Sequence, residues 1–403
     1  MNTLLPHPTS EITGLFDRVY RHIRQLPTDG NVSLLGGQMG YALLEAYAQQ
    51  QLGETDNTRL WERISTSLAA IQQGELMHSF ANGMAGVAWG FLHLDNQGLL
   101  QDDELDAQDI VADLDEPLFD LSMELILENE YDYLHGGLGA VLYFLERQPS
   151  TTRTYYLEHL VKALSDTAIR FPNGDITWPF DDFGRRTANQ PPLYNPGLSH
   201  GTASIVCLLC LLYEQGLARP QCDELIRGTL QWMWNNRNRS GQTVFPTVVQ
   251  EPRQDQDSRL GWCYGDLGIA QAFWQAGRTL GNAWWQLIAQ ETMLRAADRR
   301  DLRDCHIYDA GICHGAAGIT HLFRRFAQRM PHPVLTETAD YWMRQTLRYA
   351  TPAPNEDVFQ VYSLESGQFE SNLGLLEGEC SVGLVLLAEL GVPSHWDRFL
   401  LLS

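Results

Sequence analysis

Lysine is almost missing from this chain: of its 28 basic residues only Lys162 is a lysine, and against 50 acidic residues the formal charge is −22. Such a balance repels phosphate backbones and anionic headgroups alike, which argues against nucleic acid as a partner. Lys162 lies in an ordinary helical stretch, Tyr155 to Ala168, with no glycine loop before it. A Walker-type phosphate loop is thereby absent, and Schiff-base chemistry has no obvious carrier. Long apolar runs are scarce too. The longest, Ala203 to Tyr213, falls short of the roughly 20 residues that span a bilayer as a helix, and Met1 to Phe16 shows neither a basic n-region nor a long apolar h-region. The expectation is a cytoplasmic protein with no transmembrane segment. Seven cysteines, an odd number spread thinly, fit free thiols or metal ligands better than disulfides.

Core-forming material is plentiful. Hydrophobic residues make up 44% of 403, with 11 Trp, 15 Tyr and 15 Phe, so the chain is not disordered. Its length admits one large domain or two to three small ones. The choice comes from an internal repeat, a glycine-rich turn followed by an apolar helical stretch, which recurs seven times. The copies are LLGGQMGYALLEAYAQQ from Leu34, FANGMAGVAWGFLHL from Phe80, YLHGGLGAVLYFLER from Tyr133, GLSHGTASIVCLLCLLYEQG from Gly197, WCYGDLGIAQAFWQAG from Trp262, ICHGAAGITHLFRRFAQ from Ile312 and the looser LLEGECSVGLVLLAELG from Leu375. Aligned on the turn they fall at Gly37, Gly83, Gly136, Gly201, Gly265, Gly315 and Cys380, the last copy reading as one that has lost its glycine.

Amphipathic stretches of helical length lie between copies: Thr58 to Gln72, Thr152 to Arg170, Asp223 to Asn235, Ala283 to Ala297 and Leu335 to Ala350. Each repeat therefore reads as a buried helix and a peripheral one. Seven such pairs stacked side by side predict an all-α fold, a closed ring with the buried helices inside, filling residues 1–403 as a single domain. The glycines gather several helix N-termini at one end, an arrangement that favours anions there. Two segments break the pattern, Phe171 to Pro196 and Asn236 to Leu260, and both precede turns with chemically capable residues. They read as loops that shape a substrate cleft.

Several motifs are better explained blandly. The acid-rich stretch Asp102 to Glu116 lacks calcium-loop spacing and reads as a solvated surface. Cys207 and Cys210 form a C-x-x-C inside an apolar helix, so they read as core. GLSHG, Gly197 to Gly201, matches a nucleophile elbow, but the three prolines within six residues before it preclude the required strand. The strongest metal constellation is Cys263 in WCYG with Cys313 and His314 in ICHG, each just before an aligned glycine. Two thiolates and an imidazole suit zinc, and three ligands leave a fourth position open.

With RLGWCYG at Arg259 to Gly265, CHG at Cys313 to Gly315, HG at His200-Gly201 and seven glycine turns, the sequence resembles the lanthionine synthetase C-like cyclase family over essentially its whole length. The resemblance implies an α/α toroid of seven inner and seven outer helices with zinc held by Cys263, Cys313 and His314. It also implies that Asp132 in YDYLHGG, His200, Arg259 and Tyr264 are active-site residues. Two positions depart from the family pattern, Ser204 in place of a glycine after His200 and the irregular turn around Cys380; the first bears on the helix start beside His200.

The resemblance further implies a stand-alone, zinc-dependent cyclase of lanthipeptide biosynthesis. In it a cysteine thiolate adds to dehydroalanine or dehydrobutyrine in a precursor peptide already treated by a separate dehydratase, which it would meet in a transient complex. Arg259 would stabilise the enolate oxygen, His200 would protonate the α-carbon, and Asp132 would orient His200. Two other readings are addition of glutathione or another small thiol to dehydroamino acids, and a non-catalytic toroid that only binds peptide.

Overall fold

A helix that is apolar on every side has to be covered on every side, and the stretches after the glycine turns are. The computed structural model describes residues 9–100, 106–180, 190–352 and 357–403. Its helices in chain order are α1 (Thr9–Gln25), α2 (Gln38–Leu52), α3 (Thr58–Gln72), α4 (Met84–Asn96), α5 (Ala107–Ile110), α6 (Asp115–Leu127), α7 (Gly139–Glu146), α8 (Thr151–Thr167), α9 (Thr202–Glu214), α10 (Arg219–Asn235), α11 (Asp266–Thr279), α12 (Ala283–Ala296), α13 (Ala316–Arg329), α14 (Pro333–Arg348) and α15 (Glu379–Glu389). The seven post-turn helices are α2, α4, α7, α9, α11, α13 and α15. In α9, for example, every residue from Thr202 to Leu212 is buried. The intervening α3, α8, α10, α12 and α14 match the amphipathic stretches to within a few residues at either end. The largest misfit is at α10, which already begins at Arg219, and α8 ends early because Ile169–Arg170 leaves the helix as strand β1 and pairs antiparallel with β2 (Ile176–Thr177).

Contacts divide the chain into two compact units. The first comprises Met1–Leu76, Leu94–Asp102 and Arg300–Trp396; the second comprises Met77–His93, Asp103–Arg299 and Asp397–Ser403. In the first unit the seventh repeat lies directly against the first. Leu375 N–H donates to Leu35 O at 2.8 Å, and the Cys380 thiol donates to Gly40 O at 3.4 Å. Here α1 packs on α15, with Val19 and Leu44 so near Gly383 that a methyl group there would have no room. The peripheral partner of the seventh inner helix is thus the first helix of the chain, a stretch that the repeat reading left unassigned. In the second unit α9 packs between α10 and α11, and α11 against α12. The 397–402 segment is anchored among them. Tyr133 OH donates to Phe399 O at 2.7 Å, Trp262 Nε1 to Leu400 O at 2.8 Å and Gln271 Nε2 to Leu401 O at 2.9 Å.

The turns share a backbone device. At six of the seven, the N–H just after the turn glycine donates to the carbonyl seven residues earlier: Gln38 to Asn31, Met84 to Met77, Gly137 to Glu130, Thr202 to Asn195, Ala316 to Asp309 and Glu379 to Asn372, at 2.7–3.0 Å. That loop passes so close to the glycine that a side chain would strike it. A Cβ on Gly201 would stand 2.1 Å from Asn195 O. The sixth of these pairs corrects the alignment of the last copy. Its turn glycine is Gly378, not Cys380, and a Cβ on Gly378 would stand 2.3 Å from Asn372 O. The seventh copy has therefore kept its glycine. Ser204 is accommodated as well: its hydroxyl donates to Gly201 O at 2.7 Å, as Ser381 does to Gly378 O at 2.7 Å, and α9 starts at Thr202 undisturbed. The exception is Gly265, which reaches the helix through φ +84.

No helix among the described residues is long and apolar enough to cross a membrane, and all seven cysteines are free and buried. The contrast between turn glycines and an ordinary one is measurable by urea unfolding. Gly378→Ala is expected to lower stability by about 2–4 kcal/mol, because the methyl must displace backbone. Gly14→Ala, in α1 with nothing within 4 Å of its Cβ position, is expected to raise it by about 0.5–1 kcal/mol.

Candidate functional site

Three turns carry the proposed chemistry in the two residues before the turn glycine: Ser199-His200 before Gly201 and Cys313-His314 before Gly315, where the shared backbone loop fixes them, and Cys263-Tyr264 before Gly265, the turn that departs from it. Each lies at the N-terminus of a buried helix, where unpaired N–H groups favour negative charge.

In the second unit Asp132 does two jobs with two oxygens. Its Oδ1 accepts from the N–H of Leu134 at 2.8 Å and of His135 at 2.7 Å, which shapes the turn, and its Oδ2 accepts from His200 Nδ1 at 2.7 Å. The carboxylate holds the Nδ1–H tautomer and leaves the lone pair of the neutral ring on Nε2. Both side chains are about 15% exposed, so the pair borders solvent without dissolving in it. The His135 ring stacks on His200 at 5.6 Å, and the Tyr264 ring lies 6.2 Å from that of His200. Burial, aided by the facing His200, holds the His135 imidazole below its ordinary pKa.

The Cys263 turn is clasped by the turn that carries His200. Its carbonyl accepts from Leu198 N at 3.0 Å and from Ser199 N and Oγ at 3.3 Å each, and Gly197 leaves room for this approach, since a Cβ there would stand 2.7 Å from that carbonyl. Ser199 is thus a buried structural hydroxyl followed by a helix, not a nucleophile on a strand. The structure brings together Asp132, His200, Tyr264 and the Cys263 backbone. The Cys263 side chain is 4% exposed, and Arg259, half-buried, is bonded to no carboxylate among the described residues. In the first unit Cys313 is 6% exposed and His314 half-buried. Their turn is fixed by Cys313 N to Leu376 O at 3.0 Å and Ile312 N to Ser381 Oγ at 3.2 Å.

The sequence profile of the family described as lanthionine synthetase C-like protein matches residues 28–401. The chain belongs to that family. A curated relative, the nisin biosynthesis protein NisC of Lactococcus lactis subsp. lactis, is 22% identical over 405 residues, covering 93% of this chain and 89% of its own. A solved structure of a nisin cyclase is similar with a TM-score of 0.71 at 20% identity, over 98% of this chain and 97% of that one. The likeness shows the fold, an all-α toroid.

In this lanthionine synthetase C-like protein the residues set aside as bland are largely so. Cys207 and Cys210 are fully buried in α9, and burial pushes the Cys210 thiol far up. Of the acid-rich stretch, 101–105 lies outside the described residues. Within the rest, Asp106 accepts from Asp109 N at 3.0 Å, and Asp115 is not merely solvated: it takes Arg147 at 2.8 Å and Tyr143 OH at 2.6 Å.

The two irregular segments meet. Leu193–Tyr194 (β3) pairs antiparallel with Val249–Gln250 (β4), and beside them Phe171, Asp175, Tyr194, Trp232, Val249 and Glu251 line a cleft of about 380 Å³. Residues 181–189 of the first segment lie outside the described residues.

Sequence reasoning missed Asp266, which ties the second segment to the Cys263 turn. Fully buried at the start of α11, it accepts from Val244 N at 3.0 Å and Phe245 N at 2.9 Å. An acidic residue directly after a turn glycine was a legible signal for such a role. Burial, only partly offset by these hydrogen bonds, raises its pKa from 3.8 to about 6. A raised carboxyl binds a proton in the folded state where the unfolded chain does not. Its contribution therefore falls as pH rises from about 4 to about 6 and levels off above. Urea unfolding across that window should show a drop on the order of 3 kcal/mol in the parent that is absent in Asp266→Asn.

Proposed function

We propose that this chain is a zinc-dependent peptide cyclase that forms lanthionine and methyllanthionine rings. The reaction is a Michael-type addition of cysteine thiolates to dehydroalanine or dehydrobutyrine in a ribosomal precursor peptide, carbon–sulfur chemistry of the lyase type. The observation that carries the reading is the Asp132–His200 pair docked on the Cys263 turn, in a chain that belongs to the lanthionine synthetase C-like family. The relatives named for nisin biosynthesis and cyclisation support it.

Cys263, Cys313 and His314 are the residues that would hold zinc. Two nearly buried thiols and an imidazole at equivalent places before turn glycines form a soft donor set that fits zinc, and three donors leave one coordination position for substrate. Zinc bound there supplies Lewis acidity that makes a substrate cysteine a thiolate at neutral pH. The chain's own residues do the rest. The Arg259 guanidinium, bound to no carboxylate among the described residues, balances charge developing on the enolate oxygen. His200, its Nδ1–H held by Asp132, takes up on Nε2 the proton released by the substrate thiol and delivers it to the α-carbon, the carboxylate stabilising the intervening imidazolium. Tyr264 stands beside His200 and bounds the place where the peptide would bind. Residues 1–403 act as one cyclase domain, with a separate dehydratase supplying the dehydrated peptide in a transient complex.

Metal analysis and a cyclisation assay with dehydrated peptide test the two parts separately. Cys313→Ala and Cys263→Ala should each carry one zinc fewer per chain than the parent and close no rings. His200→Ala should keep its zinc and lose about 10²–10⁴-fold in kcat. Ring closure that survives in Cys313→Ala overturns the zinc mechanism; ring closure undiminished in His200→Ala overturns the assignment of the proton donor.

A further inference from the structure

Away from the family's turns, the first unit gathers a second set of metal-type donors where α1 meets the start of α15. His22 projects from the last turns of α1, Glu379 opens α15, and Asp357 comes from the segment before β5 (Val361–Ser363). One ligand atom from each lies within 4.8 Å of the others. His22 Nδ1 stands 3.0 Å from Glu379 Oε1, and His22 Nε2 stands 3.9 Å from Asp357 Oδ1.

Charge and hydrogen bonding do not close around this cluster. The Glu379 side chain is wholly buried; its Oε2 accepts from Val358 N at 2.8 Å, and Oε1 faces His22. Asp357 has one oxygen toward His22, while its Oδ2 is buried and receives no hydrogen bond. His22 is the only cation paired with either carboxylate among the described residues; Arg18, one turn earlier on α1, donates to Thr351 O at 2.8 Å. Burial pushes the Glu379 carboxyl up, against the opposing hydrogen bond and charge of His22. With both carboxylates ionised, even a protonated imidazole leaves one negative charge unbalanced, and the Asp357 Oδ2 is unmatched in either case.

We infer that His22, Asp357 and Glu379 form a second divalent-cation site, separate from the thiolate set, that fastens α1 to α15. One imidazole and two carboxylates make a borderline-to-hard donor set that suits Mn²⁺, a harder ion than the zinc favoured by thiolates. Binding requires the neutral imidazole, so any proton on His22 leaves to solvent as the ion enters. His22, 30% exposed, gives the ion a route in and leaves coordination positions for water. The site is structural, because an ion that binds only where α1 is docked stabilises the docked state by mass action.

Mn²⁺ alone is the probe, read by loss of the free-ion electron paramagnetic resonance signal and by thermal melting. The parent should take up one Mn²⁺ per chain with a rise in Tm, and Cys313→Ala should behave alike. His22→Ala, Asp357→Asn and Glu379→Gln should each weaken uptake at least tenfold and abolish the Tm rise. Should Glu379→Gln fail to fold, the more exposed His22→Ala and Asp357→Asn decide. No uptake by the folded parent at millimolar Mn²⁺, or uptake that His22→Ala and Asp357→Asn leave unchanged, overturns the inference. Because Cys313→Ala carries this test without the thiolate set, neither result depends on the cyclase reading.

Discussion

The hydrogen bond from the first helical N–H back to a carbonyl seven residues upstream is the constraint on which most of this architecture rests. It draws the chain across the face of a turn residue that can have no side chain. That close approach is why the glycine recurs and why the two residues before it stand in a defined place at each helix start. In four copies the upstream residue is Asn or Asp, and its Oδ1 caps the N–H two positions on: Asn31 to Ser33, Asn195 to Gly197, Asp309 to Gly311 and Asn372 to Gly374, at 2.7–3.1 Å. Two of the copies that depart from this pattern bear proposed chemistry. Arg259 stands where the Asx residue would be before Gly265, and before Gly136 the capping carboxylate has moved to Asp132, where its second oxygen reaches His200. Local rules tend to break at working sites.

The pair at His200 is held from behind rather than by its own flexibility. Asp132 is immobilised by two backbone donors before it takes the imidazole, and the Cys263 turn is pinned by the Ser199 turn, by Trp262 on Leu400 and by Asp266 on the 244–245 backbone. Groups positioned in this way lose little entropy when a substrate arrives.

Much of this was legible in the sequence. The seven turns, the buried character of the helices after them and the five amphipathic stretches follow from periodicity and glycine position, whereas Asp132, His200, Arg259 and Tyr264 were proposed from the family resemblance that RLGWCYG, CHG and HG carry together. Other features were hidden for physical reasons. Gly378 was passed over for Cys380 because the i−7 bond that identifies the turn glycine is a backbone property, and the Asn or Asp that accompanies it in four copies, Asn372 here, stands six residues before the glycine and outside the repeated motif. The partner of α15 lies at the other end of the chain, beyond any local period. The pairing of β3 with β4 is two residues long, too short for alternation to register, and although an acid after Gly265 signals a role at the helix start, the segment Asp266 binds lies more than 20 residues upstream and has no signature of its own.

The docking of α1 on α15 has a consequence for how this protein comes to be. Val19 and Gly383 meet across almost the whole sequence, so the first helix leaves the ribosome without the surface that will cover its apolar side. Phe16, Val19 and Ile23, nearly or wholly buried in the finished protein, wait until the final inner helix has been translated. Non-local closure of this kind is slow, and unfinished chains carry an adhesive stripe meanwhile. The acidic character of the rest of the chain would then matter during synthesis as well as afterwards, through mutual repulsion between nascent copies.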